Sequence, residues 1–260
     1  MFQKFIVRRA LILCVASPAL ARAQNVACGR GNSVAASAGI NQSDRADASI
    51  APGQFQGRGP VATLSGEINV HRVCATAFVT GGARSLTPVA GTFGHERLLD
   101  GYADIEGLVP VLTTSRTMLS LGVAAQTSLA GTTHTFTDPA HTTSTFRLGV
   151  LSLGPAVRAT YATPQLRLSG GLAIGAASLV DHSYGAVWAH NLSPSLRFAW
   201  PNTLRSASAS MDLEHAITRS LSARIGYRAY GMRFDDARSV RTLSQSLNLG
   251  FSLTRGGERR

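Results

Sequence analysis

The side chains able to move a proton or attack an ester lie in a few short stretches. Asp181-His182-Ser183 and Glu214-His215 supply the residue types of a hydrolytic site. In such a site a His takes the proton of a nucleophilic Ser while a carboxylate orients the His. Neighbours on an extended chain point to opposite faces, so adjacency works against a triad at either place. Asp235-Asp236 offers the acidic pair of a proteolytic site, but no His accompanies it. His134, Asp138 and His141 share one polar stretch and could ligate a metal, although His at such spacing is commonly just solvated. There is no Gly-rich phosphate loop and no zinc-type cysteine spacing. The sequence therefore assigns no catalytic residue, no metal and no cofactor.

A stronger chemical signal is the sorting of charge along segments that alternate with period two. Leu119, Leu121, Val123, Ala125, Thr127 and Leu129 alternate with small or polar residues, as do Leu166, Leu168, Gly170, Leu172 and Ile174, and Leu243, Gln245, Leu247, Leu249, Phe251 and Leu253. Arg147, Arg167, Arg197, Arg224 and Arg228, with Asp212 and Glu214, are read on the phase opposite to the Leu-rich one. If the Leu-rich faces meet lipid, these seven line a lumen, because an Arg on the lipid face costs about 2 to 4 kcal/mol at the bilayer midplane. Asp212 and Glu214 are expected between the strands of Arg197 and Arg224, where cross-strand ion pairs can form. Two outcomes follow: an anion-selective constriction, or a salt-bridged interior filled by side chains, since barrels of eight to ten strands have little spare room. Tyr161, Phe198, Trp200 and Tyr227 fall on the outer phase and suit interfacial belts.

The elements that must position these residues are long strands. The alternating runs reach 10 to 13 residues. A tilted membrane strand needs about 9 to 11 residues, whereas strands of soluble sandwiches average about five or six. No segment beyond the amino terminus has the roughly 18 apolar residues of a membrane helix. Short turns at 162–165 and 217–220 alternate with longer polar stretches at 131–143 and 234–241. That asymmetry predicts both termini on the periplasmic side and ten strands, near 61–80, 98–112, 116–130, 144–161, 165–180, 184–191, 195–201, 204–216, 220–233 and 240–255. Eight or twelve strands are the alternatives, with 61–80 either one strand or a hairpin.

Composition fits an exported protein. The 260-residue chain is 44% hydrophobic and only 15% charged, with a net charge of +11. Lys4, Arg8 and Arg9, the uncharged run Ala10 to Ala21, and Ala21-Arg22-Ala23 read as a signal peptide over 1–23, cleaved between Ala23 and Gln24. Residues 24–59 read as a loosely ordered periplasmic leader or, alternatively, a plug; 60–255 read as the barrel, and 256–260 as a polar tail. Cys28 and Cys74 remain after cleavage in a compartment that permits disulfides, so one bridge or two free thiols are both open. The arginines are spread singly, without the clustered basic and aromatic residues of a nucleic-acid surface, so membrane lipids rather than nucleic acid are the expected partners.

The stretch Met211 to Tyr230, with the closing strand Leu243 to Leu253, resembles the last hairpin and strand of small Gram-negative outer-membrane barrels of the opacity-protein and OmpA-barrel type. The resemblance implies an all-β, antiparallel transmembrane barrel in the cell outer membrane, inserted by the barrel assembly machinery. A structural or surface-interaction role is expected, with a narrow anion-preferring pore as its variant. The alternatives are an outer-membrane lipid hydrolase and a soluble, lipocalin-like ligand carrier, in which the Leu-rich faces would point inward.

Overall fold

A computed structural model describes residues 31–47, 53–70, 73–91, 94–137, 144–186, 196–235 and 239–255. Ala23, Gln24, Cys28 and the 256–260 tail lie outside these residues. Twelve strands follow in order: β1 (Asn32–Asp47), β2 (Gln54–Val70), β3 (Val73–Pro88), β4 (His95–Thr113), β5 (Thr117–Thr135), β6 (Ser144–Ala162), β7 (Leu166–Ile174), β8 (Ala177–Ala186), β9 (Leu196–Ala199), β10 (Leu204–Ala216), β11 (Leu221–Asp235) and β12 (Ser239–Arg255).

They close into a ten-stranded antiparallel barrel. β1 pairs with β2 and with β12, and each strand from β2 to β6 pairs with the next. β6 then carries β7 on its lower half and β8 on its upper half. β7 pairs with β10 and β8 with β9, so β7–β8 and β9–β10 each act as one interrupted wall strand. The first interruption is a bulge at Gly175 and Ala176, whose amides donate to the carbonyls of Ser206 and Leu153. Inward-facing positions shift from odd to even numbers across it. Gly154 makes the bulge possible, because a Cβ there would lie 1.8 Å from the Ile174 carbonyl oxygen.

Both ends of the barrel have the expected asymmetry. Asn32 pairs with Arg255 at the end that also carries connections 71–72, 114–116, 163–165 and 217–220. Three of these turns share one device: the hydroxyls of Thr114, Thr163 and Thr218 each accept the amide three residues on, from Thr117, Leu166 and Leu221. The other end carries the longer 48–53, 89–94, 136–143 and 187–195, and also 236–238, which is short because most of the stretch 234–241 lies in β11 and β12. Short turns mark the periplasmic end of outer-membrane barrels and longer connections the outer end.

The wall sorts its side chains as a membrane barrel does. Leu64, Ile105, Leu121, Leu153, Leu172, Ile225, Leu249 and Phe251 are exposed on the outside, while charged, polar and packed apolar side chains fill the inside. β4, β5 and β6 have 19 residues each, more than a tilted crossing requires, so their outer ends project beyond the lipid. This outward Leu face removes the lipocalin-like arrangement, which needs it inside.

Two boundaries differ from the sequence reading, and for 61–80 the hairpin alternative holds. The span 24–59 contains β1 and the start of β2, so the leader is largely part of the wall. In β1 the outward Val34, Ala36, Ala38 and Ile40 alternate with Ala35, Ser37, Gly39 and Asn41, a contrast too weak to register as a strand. The segment 61–80 spans a hairpin. Residues 184–191 and 195–201 do not form two further wall strands; β8 and β9 complete those already begun by β7 and β10. The count of ten survives because β1 and an extra hairpin strand replace that pair.

Candidate functional site

The periplasmic third of the lumen holds a layer of ion pairs reaching across the barrel. Arg167 on β7 extends to Glu67 on β2, its Nη2 2.9 and 2.8 Å from the two carboxylate oxygens. Asp212 on β10 is clasped by two neighbours on β11: Arg224 donates to Oδ1 from Nη2 at 2.8 Å, and Arg228 to Oδ2 at 2.8 Å. Glu214 lies between Arg167 and Arg224, at 3.8 and 3.9 Å. Arg158 on β6 donates to Glu106 on β4 through Nη2 at 2.7 Å and Nε at 3.1 Å, and the Thr76 hydroxyl adds a third donor at 3.1 Å. Arg228 also lies over the Phe78 ring, 5.0 Å from its centroid.

Charge in this layer balances: Arg158, Arg167, Arg224 and Arg228 face Glu67, Glu106, Asp212 and Glu214. In a low-dielectric interior such pairs persist only if each partner's remaining donors or acceptors are engaged. Two cavities reach the layer, of about 20 and 30 Å³. Each has room for only one or two waters.

Above the charges the lumen is packed. Tyr102 and Tyr230 stack at 4.5 Å between ring centroids. Asp104 accepts from the Tyr102 hydroxyl at 2.9 Å and from Ser208 at 3.1 Å, and Gln126 donates to Ser208 at 2.6 Å. Arg84 is held by Asp100, Asn41 and Ser43. An apolar cluster of Leu148, Val150, Val180, Leu204, Met232, Phe234 and Val240 fills the outer part.

At the outer rim, beyond the apolar belt and level with the outward-facing His95 and Arg97, Glu96 is fully buried beside His134, 3.4 Å away. Burial raises the Glu96 carboxyl to about 7, opposed by nearby Arg45 and reinforced by Asp47. His134 is thus a lumen residue of β5, packed against Phe55 and Phe136. Asp138 and His141 lie outside the described residues.

Of the seven charged residues placed in the lumen from sequence, Arg167, Asp212, Glu214, Arg224 and Arg228 form one connected cluster. Arg197 has the inward register opposite Val180, but it is exposed near the outer mouth, far along the wall from Asp212. Arg147 points outward. In this part of β6 the inward phase is Phe146, Leu148 and Val150, so the lumen is the more apolar face and the sequence criterion picked the wrong side. Arg158, Glu67 and Glu106 were not anticipated; alternation places Arg158 inward with Ala156 and Thr160, but only ring closure pairs it with Glu106.

Glu214 and His215 point to opposite sides of the wall, so they do not form a catalytic couple. The side chains of His182 and Ser183 lie outside the described set, as does Asp236. No cluster of metal-binding side chains occurs among the described residues. Cys74 faces the lumen, buried and disulfide-bonded. Tyr161, Phe198 and Trp200 are exposed on the outer surface, as an interfacial belt requires.

The outer membrane protease OmpT from Escherichia coli has a similar structure, with a TM-score of 0.57 at 9% identity, covering 86% of this chain and 96% of that one. The fold is that of a Gram-negative outer-membrane β-barrel. Neisserial surface protein A (NspA) aligns at 12% identity over 86% and 97% of the two chains, with a TM-score of 0.39. The translocator domain of the autotransporter NalP from Neisseria meningitidis aligns at 10% identity over 96% and 97%, with a TM-score of 0.44. No family model and no curated protein sequence matches the chain. Closure, the apolar belt and the likeness to a solved outer-membrane barrel place this chain in the outer membrane.

Proposed function

We propose that this outer-membrane barrel acts as a structural and surface-interaction protein whose wall presents its outer connections, and that its lumen is closed to solutes. The charge-balanced layer centred on Arg167, Asp212 and Arg228 carries this reading. An anion-preferring constriction needs arginines free to meet the passing ion, whereas these four are each committed to a carboxylate. The apolar cluster above adds a second barrier to ions. No catalytic role is assigned to any residue.

Reconstitution into planar bilayers tests the proposal. In about 1 M KCl the refolded barrel is expected to give no sustained conductance steps. Regular anion-selective steps would overturn the closed-lumen reading in favour of the pore, and Arg167→Gln would then alter their selectivity.

A further inference from the structure

Outside the wall, three arginines stand in a line that the lumen does not explain. Arg205 on β10 is the cross-strand partner of Arg233 on β11, and Arg233 is the partner of Arg241 on β12. All three are exposed and face outward. Like charges directly opposite one another destabilise a sheet, so the row is costly unless an anion covers it. Local acids offset it only in part. Asp235 accepts from Arg233 Nε at 2.5 Å, and Asp44 sits on β1 diagonally from Arg241. Arg205 gives its Nε to the Pro201 carbonyl at 3.2 Å, and neither Arg205 nor Arg241 has a carboxylate within 4 Å among the described residues.

The row has a defined height. The next outward residues toward the membrane are Ala207, Gly231 and Leu243, so the arginines stand one step above the apolar belt at the end with the longer connections. Phe198 and Trp200, just before Arg205 in the chain, meet edge to face at 4.8 Å and are 55% and 60% exposed. Exposed aromatic rings of this kind mark the headgroup level of a bilayer.

Directly below lies a shallow trough. Ala207 pairs with Gly231 and Ala209 with Ala229, giving four small outward residues on two adjacent strands. Ile174 and Leu172 rim it on β7, and Leu243 rims it on β12. Arg58, Arg97 and Arg147 also face outward near this level, but none has an arginine as cross-strand partner.

We propose that Arg205, Arg233 and Arg241 bind the phosphate-bearing headgroup of an outer-leaflet lipid, with one acyl chain lying in the Ala207–Ala209–Ala229–Gly231 trough. Guanidinium forks match phosphate oxygens in a bidentate geometry, and a phosphate supplies the negative charge that the row lacks. The trough is why a lipid is the source rather than free phosphate: it extends the site into the region that only an apolar chain occupies.

The test uses the full refolded protein in detergent, with lipid retention read by native mass spectrometry. The probes are lipid A, its phosphate-free counterpart and inorganic phosphate. The wild type is expected to retain lipid A and not the phosphate-free form. Each Arg→Gln change in the row should weaken retention roughly five-fold, and the triple variant on the order of a hundred-fold. The triple Arg58→Gln, Arg97→Gln, Arg147→Gln control should stay within about two-fold of wild type. Heat-dependent mobility in SDS reports that each variant is a folded barrel; if the row variant does not fold, Ala209→Phe, which fills the trough, is expected to weaken lipid A about ten-fold. Retention by the folded row variant equal to wild type, equal loss in the control, or equal retention of the phosphate-free lipid would each overturn the site. Displacement of lipid A by inorganic phosphate at comparable concentration would overturn the lipid as its source.

Discussion

Replacing Asp212 by Asn keeps the side-chain volume and removes one charge from the centre of the lumen. The carboxylate is 5% exposed and accepts from Arg224 at 2.8 Å and Arg228 at 2.8 Å. After the change four arginines face three carboxylates. Arg228 keeps the carbonyls of Tyr227 and Met211, at 2.9 and 3.4 Å, and the Phe78 ring, and Arg224 keeps Glu214 at 3.9 Å and the Ser65 hydroxyl. Removing one partner of a buried pair costs about 3 to 5 kcal/mol, because the other charge is left uncompensated away from water. Glu214→Gln is the internal comparison: its contacts are 3.8 and 3.9 Å and its side chain is 17% exposed, so it should cost only about 1 kcal/mol. Urea unfolding in lipid vesicles, followed by mobility in unheated SDS gels, measures both. Adding Arg228→Met to Asp212→Asn should return part of the loss, with a coupling of about 1 to 3 kcal/mol. If Asp212→Asn costs no more than Glu214→Gln, and the double variant shows no coupling, then the clasped geometry does not hold the barrel together.

Four further outcomes follow from the same structure. Cys74 should resist a maleimide in the unfolded, unreduced protein and react only after reductant, which mass shift reads directly. Glu96 is held protonated below about pH 7 in the folded barrel. Stability should therefore fall as pH rises from the ordinary carboxylate range to that value and stay level above it, and Glu96→Gln should gain up to about 3 kcal/mol at pH 8 but nothing at pH 4. Leu249→Arg, on the lipid-facing side of β12, should cost about 2 to 4 kcal/mol in vesicles. Gly154→Ala should lower the unfolding midpoint sharply, since its Cβ has no room beside the Ile174 carbonyl; an unchanged midpoint would mean that the bulge can move.

How much of this was legible before the structure depended on local contrast. β5, the lower wall strand at β7, and β12 announce themselves because Leu and Val alternate with Gly, Ser and Asn over a full membrane crossing. β1 hides because both of its faces carry Ala, and a lumen lined by Ser37, Gly39 and Asn41 looks like a loop. Arg147 shows the limit of phase reasoning: the rule that apolar faces lipid fails where the lumen itself is closed by Leu148 and Val150. The site was half visible. Asp212, Arg224 and Arg228 lie within one hairpin, so their pairing is local, whereas Glu67 meets Arg167 across 100 residues of sequence and only after the ring has closed.

The charge balance ties the inside of the barrel to its outside. Beyond residues 1–23 the chain has 21 arginines against 14 acidic residues, which invites the idea of a basic lumen, yet each lumen arginine in the lower layer has its own carboxylate. The wall's excess therefore has to lie elsewhere. Arg58, Arg97, Arg147, Arg205, Arg233 and Arg241 face outward around the outer edge of the belt, against Asp44, Asp181 and Asp235 on the same side. Placed at the midplane, each of these arginines would oppose insertion; at the outer edge of the apolar belt it does not. The excess of arginine that suggests an anion pore in the sequence lies, in the folded wall, at exposed positions near both ends of the barrel, Arg116, Arg219 and Arg255 at the short-turn end among them, and not in the lower lumen.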